Sequence, residues 1–219
     1  MPIVISLKRK KRTKEWYLIY LNDGREILSY IDFIVKFKIK TGKQLTEEQI
    51  SEIKSSSELI LAKEIAYKFL SYKPRTQKEV EERLKQKGFD KNIISKVIQE
   101  IKNYGFINDL EYARNFVFDR SKSKTFGKFA LKQMLLAKGV PADIIEQVLL
   151  ERENIVDEFD IALELANQKL KQLKSFKKKK RDRNEQRRKI YEFLARRGFS
   201  WDVINRTMRE IFEDFEFQN

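Results

Sequence analysis

Three short segments share one form: Lys87-Gly88-Phe89, Lys138-Gly139-Val140 and Arg197-Gly198-Phe199 each read basic, glycine, apolar. With each glycine as origin, the flanking sequences fall into register. Four residues before it stand Leu84, Leu135 and Leu194, and eight before it Val80, Leu131 and Ile190. Six residues after it stand Ile94, Ile145 and Ile204, and ten after it Ile98, Leu149 and Met208. Spacings of four keep side chains on one face of a helix. A glycine between two such faces suits a left-handed helix end. Each unit therefore reads as helix, sharp Gly turn, helix, and a β-branched residue at Gly88 should be strained there. A further helix precedes each pair. Ala66-x-x-Phe69-Leu70, Ala113-x-x-Phe116-Val117 and Ala162-x-x-Leu165-Ala166 match one another. The chain is thus expected to hold three tandem three-helix, winged-helix-like repeats, stacked as an elongated, curved array. Only 7 Gly and 3 Pro in 219 residues are consistent with so much helix.

The first 45 residues read differently. Residues 3–7 are mostly β-branched and apolar, and Trp16-Tyr17-Leu18-Ile19-Tyr20-Leu21 reads as a strand buried on both faces. Asp23-Gly24 signals a hairpin into a third strand over 25–31. Three strands are marginal alone, so this antiparallel element should lean on a following helix. Asp32 is placed to cap a short helix ended by Gly42, and helix then runs from about residue 46. Thr46 with Gln49 and Thr76 with Glu79 are capping-box patterns, while Asn108-Asp109 and Asp143 mark other helix starts. The expected boundaries are 1–45 for the β element, 46–105, 106–153 and 154–219 for the repeats.

The net charge of +14 is confined to two places. Residues 1–14 carry six basic residues and no acid, and residues 174–189 carry ten basic residues and two acids, which together account for the whole excess. The distance from repeat alanine to repeat glycine is 22, 26 and 36 residues, and the added length of the third unit falls on 174–189. Candidate polyanion contacts are Lys8, Arg9, Lys10, Lys11 and Arg12 in an exposed loop between the first two strands, and Lys177, Lys178, Lys179, Lys180, Arg181, Arg183, Arg187 and Arg188 in the insertion. Such residues meet phosphates without reading bases. The helices beside the turns carry no cluster of Arg, Asn and Gln suited to base edges, which argues against sequence-specific recognition.

Catalytic chemistry finds little support. The chain has no His and no Cys, so the commonest general base, thiol nucleophile and thiolate ligand are missing. Gly42-Lys43 and Gly127-Lys128 lack the rest of a phosphate-binding loop. The clusters Glu79-Glu81-Glu82, Asp157-Glu158-Asp160 and Glu210-Glu213-Asp214 lie beside Lys and Arg on amphipathic helices and read as solvated, ion-paired faces. No enzyme, cofactor or metal is expected. There is no signal-peptide pattern, and no apolar run approaches the roughly 18 residues of a membrane span, so a cytoplasmic protein is expected.

The stretch Phe69-Leu70-Ser71-Tyr72-Lys73-Pro74-Arg75-Thr76, followed by Glu79, Leu84 and Lys87-Gly88-Phe89, resembles the RecX family. So do Tyr104-Gly105-Phe106-Ile107-Asn108-Asp109, Tyr112-Ala113, Phe116-Val117, Arg120 and Lys138-Gly139-Val140. The third repeat departs most, with Leu165 where Phe69 and Phe116 stand. The resemblance implies a regulator that binds RecA and RecA–DNA filaments and restrains filament growth, ATP hydrolysis and strand exchange in recombination and repair. It also implies direct contact with DNA; a monomer is expected. The competing reading is a stand-alone, sequence-independent DNA-binding protein.

Overall fold

The computed structural model describes residues 1–11, 13–122, 125–175 and 182–212. The chain divides into two compact units, 1–73 with 80–106, and 74–79 with 107–219.

The first unit opens on an antiparallel sheet of β1 (Val4–Arg9), β2 (Trp16–Leu21) and β3 (Glu26–Tyr30) in sequential order. Ile19 sits opposite Leu7 and Ile27. With Val4 and Leu21 these side chains pack against Ile50 and Ile53 of α2 (Glu47–Leu70). In β2 Trp16, Ile19 and Leu21 are buried but Tyr17, Leu18 and Tyr20 are only half-buried, so the strand is not buried on both faces as its sequence suggests. The sheet is fastened to α2 by Trp16 Nε1 donating to Glu64 Oε2 at 3.0 Å and Tyr30 N donating to Ser57 Oγ at 3.0 Å. The support for the marginal sheet is therefore α2, which starts at the Thr46–Gln49 capping box and carries the first repeat alanine, Ala66, in its second half.

Three local expectations are corrected. Lys8 and Arg9 extend β1, opposite Leu18 and Tyr17, so the loop between the first strands begins later. The short helix α1 (Ile31–Lys36) holds Asp32 inside its first turn, with Tyr30 at the N-cap. It ends well before Gly42 because Lys38 already takes a left-handed φ of 50°.

The remaining elements are α3 (Gln77–Gln86), α4 (Lys91–Asn103), α5 (Asp109–Lys122), α6 (Lys128–Ala137), α7 (Ala142–Glu153), α8 (Glu158–Ser175), α9 (Arg183–Arg196) and α10 (Trp201–Phe212). They form three-helix groups as the register predicts. Gly88, Gly139 and Gly198 have φ of 89°, 76° and 78°. At each, the glycine N–H and the next N–H bond back to the helix carbonyls three and five residues earlier, which ends the helix in a Schellman motif. Leu84, Leu135, Leu194, Val80, Leu131 and Ile190 are fully buried, as are Ala66, Ala113 and Ala162. Ile94 is the exception on the far side of a turn. It is half-buried, and Ile93 and Val97 face the core instead. In the second unit one core gathers on Leu131, Leu135 and Ile145, another on Ile190, Leu194 and Ile204. Thr76 and Glu79 exchange both capping-box bonds at 3.2 Å, and Asn108 Oδ1 accepts from Glu111 N at 3.1 Å. Asp143 lies in the first turn of α7, behind Pro141.

Candidate partner-binding surface

The two basic segments belong to different units. In the first unit, Lys10 N donates to Trp16 O at 2.8 Å and closes the β1–β2 hairpin. Lys8, Arg9, Lys10, Lys11 and Lys14 are exposed around it. Lys8 Nζ lies 5.4 Å from the Tyr20 ring centroid, and Arg9 Nε donates to Thr13 O at 3.0 Å. Glu15 stands beside the tip, its Oε2 accepting from Lys14 N at 3.1 Å. Arg12 lies outside the described residues.

In the second unit, α8 and α9 flank the insertion, and Lys177, Lys178, Lys179, Lys180 and Arg181 lie outside the described residues. The structure brings Arg183 and Arg187 together at the end of α10. Arg183 donates to the Phe212 carbonyl, where a cation suits the negative helix end, and Arg187 lies 5.3 Å from the Phe212 ring. Lys189 pairs with Glu185 at 2.8 Å, while Arg188 is highly exposed and only 3.9 Å from Glu192. Part of this basic run therefore has structural duties.

The acidic clusters are not uniformly solvated. Glu158 is buried against Arg152 at 2.5 Å, and Glu79 is half-buried, 2.7 Å from Lys138 and 3.8 Å from Arg75. Burial pushes the Glu79 carboxyl up, but the bonds from Lys138 and the Thr76 N–H, with the nearby cations, outweigh it and hold it below the usual range. Glu82, Asp157, Asp160 and Glu210 are exposed as expected, and Glu213 and Asp214 lie outside the described residues.

These buried acids belong to a junction that recurs in register. Thr76 and Gly127 each stand twelve residues before a repeat glycine. Thr76 Oγ1 donates to Lys138 O at 2.7 Å, and Gly127 N donates to Arg197 O at 2.9 Å, both on the carbonyl just before the next repeat's glycine. One residue on, Gln77 N donates to Asp109 Oδ1 at 2.9 Å and Lys128 N to Glu158 Oε1 at 2.6 Å. Asp109 and Glu158 each stand four residues before a repeat alanine. The start of a helix is thus clasped twice by the turn and the leading acid of the following repeat. The contact is tight. A Cβ on Gly127 would fall 2.4 Å from Gly198 O, and one on Gly198 would fall 2.2 Å from Ala130 N. Gly127, left without a role by sequence reading, is needed for this approach. Extending the repeat register to the −12 position and the leading acids would have found the clasp.

No group of three or more Asp, Glu, His or Cys among the described residues could hold a metal ion. A cavity of ≈ 410 Å³ between α5 and α7 is lined mainly by apolar side chains, including Val117, Phe118, Val148 and Ile155, with the Arg114–Glu151 pair at its rim. It gathers no convergent acid–base pair. Among the described residues no helix is long and apolar enough to cross a membrane.

The three groups of helices coincide with three domain families. The first, second and third three-helix domains of RecX match residues 62–100, 108–149 and 156–208. The chain is 32% identical to the regulatory protein RecX of Bacillus subtilis (strain 168) over 219 residues, covering all of this chain and 79% of that one. The chain belongs to the RecX family. It is also 31% identical to the regulatory protein RecX of Clostridium botulinum (strain Alaska E43 / Type E3), with 99% of both chains covered. Two crystal structures carry a similar fold. One, of regulatory protein RecX, has a TM-score of 0.69 at 21% identity, covering 98% of this chain and all of that one. The other, of RecX from Lactobacillus salivarius, has a TM-score of 0.62 at 25% identity, covering 71% of this chain and 97% of that one. The proteins named in this family are regulatory, and the third repeat, the most divergent in sequence, matches along with the other two.

Proposed function

We propose that this chain is a non-catalytic regulator that binds RecA and RecA–DNA filaments and restrains filament extension, ATP hydrolysis and strand exchange in cytoplasmic recombination and repair, including the SOS response. The observation that carries the reading is membership of the RecX family along all three repeats, joined to an excess charge held wholly in residues 1–14 and 174–189. The β element (1–45) carries the hairpin, repeats over 46–105, 106–153 and 154–219 form the scaffold, and the protein acts as a monomer. Lys8, Arg9, Lys10, Lys11 and Arg12 on one side, and Lys177–Lys180, Arg181, Arg183, Arg187 and Arg188 on the other, supply sequence-independent, salt-sensitive contact with DNA phosphates or acidic RecA surface. Isolated contacts of this kind give roughly 10⁻⁴ to 10⁻⁶ M at physiological salt, so charge steers the encounter and filament geometry supplies the specificity. The exposed hairpin, with no base-reading cluster beside it, also fits a stand-alone DNA-binding protein. RecA's DNA-dependent ATPase separates the two. The regulator lowers it at amounts well below one per RecA; a DNA-binding protein without RecA contact leaves it unchanged at those amounts.

A further inference from the structure

Four helices end in a Schellman motif at a left-handed glycine, and in three of them the next residue is buried: Phe89, Val140 and Phe199 are 9%, 3% and 4% exposed. That apolar residue ordinarily packs back against the helix it ends. The fourth motif breaks the rule. At the end of α4, Gly105 N donates to Lys102 O and Phe106 N to Ile101 O, both at 2.9 Å, with Gly105 at φ 73°. Yet Phe106 is 55% exposed, and Tyr104 before the glycine is 68% exposed. Their rings meet edge-on with centroids 6.4 Å apart, and the far side of Phe106 meets Tyr67 at 5.3 Å. Tyr67 is itself fixed, since its hydroxyl bonds Glu100, which pairs with Lys63. Two large rings are thus held rigidly in solvent by a backbone motif that elsewhere in this chain buries its apolar residue.

The surroundings are polar and carry both charges. Along the outer face of α4 a shallow groove of ≈ 610 Å³ runs past Lys96, Gln99, Glu100 and Asn103 to Tyr104, and the charge of Glu100 is met by Lys63. Gln99 and Asn103 are bonded to each other at 3.1 Å, with amide groups at the surface. Lys68 and Lys73 are exposed at the end of α2, the helix that carries Tyr67. Aromatic faces in solvent beside lysines are the components of a single-strand nucleic-acid site: rings stack bases and cations meet phosphates.

We propose that Tyr104 and Phe106 form a stacking platform for unpaired bases of a single strand, with Lys96 at the phosphate end of the groove. It rests on the DNA-contact half of the function proposed above and is independent of the RecA half. It also adds what the two basic segments do not: dependence on bases rather than on phosphates.

The test uses the full-length protein with two probes, an oligothymidine of about 16 nucleotides and an abasic deoxyribose-phosphate strand of the same length. Tyr104→Ala should weaken oligothymidine binding roughly ten-fold and leave abasic binding unchanged, since stacking acts on bases alone. Tyr104→Trp should keep the affinity, and its emission, above the background of Trp16 and Trp201, should be quenched by oligothymidine. Phe106→Ala should reproduce the base-specific loss. Equal loss on both strands, or no loss on either, overturns the platform. Quenching of Tyr104→Trp by a protein partner with none by oligothymidine makes the rings a protein contact and also overturns it. Failure of the wild type to bind either strand overturns the platform together with the proposed DNA contact, whereas an unaltered RecA ATPase removes the regulatory reading alone.

Discussion

Gly88 and Gly198 hold equivalent places in their repeats and nearly equal φ, yet alanine should not cost the same at both. At Gly88 an added Cβ meets nothing within 4 Å, so the cost is conformational only. A non-glycine residue in the left-handed region costs roughly 1–2 kcal/mol. At Gly198 that cost recurs, and the new Cβ would sit 2.2 Å from Ala130 N and 2.5 Å from Ala130 Cβ. The start of α6 must then back away. Doing so breaks the bonds from Gly127 N to Arg197 O and from Phe129 N to Gly198 O. At a net ~1 kcal/mol each, these raise the expected loss to about 3–4 kcal/mol. Gly139, faced by the Lys78 side chain rather than by backbone, should fall between. Amide hydrogen exchange reads the difference site by site. In Gly198→Ala the amides of Gly127 and Phe129 should lose protection before the rest of α6, and in Gly88→Ala they should not change. Equal destabilisation at the two sites, or unchanged protection at Gly127 and Phe129, would refute the clasp.

Three further outcomes follow from the same contacts. Glu158→Ala takes the carboxylate from buried Arg152, which keeps its bond to Phe126 O, and the acceptor from Lys128 N, which should cost about 3–5 kcal/mol in urea unfolding; replacing both Arg152 and Glu158 by apolar residues should recover the part due to the buried charge but not the Lys128 N bond. Glu79 is held below the ordinary carboxylate range, so its contribution is complete above the unfolded value of about 4.3 and is lost as pH falls through the folded value; Glu79→Gln should therefore flatten the decline in stability below about pH 4.3 and change nothing in the slope between pH 6 and 7. Replacing Lys177–Lys180 and Arg181 by Gln should leave thermal unfolding unaltered and reduce the slope of log affinity for duplex DNA against log salt, by up to about 4.5 with all five on phosphates, whereas an unchanged slope removes the segment from the contact surface.

Much of the fold is legible because its determinants are periodic. Leu84, Leu135 and Leu194 repeat at a fixed offset from glycines that the turn geometry requires, and the capping boxes at Thr46 and Thr76 are short-range patterns with a defined bond partner. What escapes is tertiary. Asp32 has the chemistry of a cap, but the chain enters α1 directly from β3, leaving Tyr30 at the cap. Glu158 sits among exposed acids and cannot be told from them until the fold encloses it with Arg152 and Lys128 N. Gly127 resembles a fragment of a phosphate loop; only its approach to Gly198 shows why a side chain is excluded. The candidate surface is legible as composition alone. Its charge is counted from residues 1–14 and 174–189, but the engagement of Arg183 and Arg187 at Phe212 depends on α9 meeting α10. The exposed rings of Tyr104 and Phe106 are hidden in a sequence where the similar Lys87-Gly88-Phe89 buries its phenylalanine.

The most direct test of the regulatory role is the growth of single RecA filaments on DNA, followed with and without this protein at amounts far below one per RecA. Arrested or slowed extension, with a parallel fall in ATP hydrolysis, is the predicted result. Extension at the unregulated rate, while the protein still binds naked DNA, would contradict it and leave a DNA-binding protein that does not act on RecA.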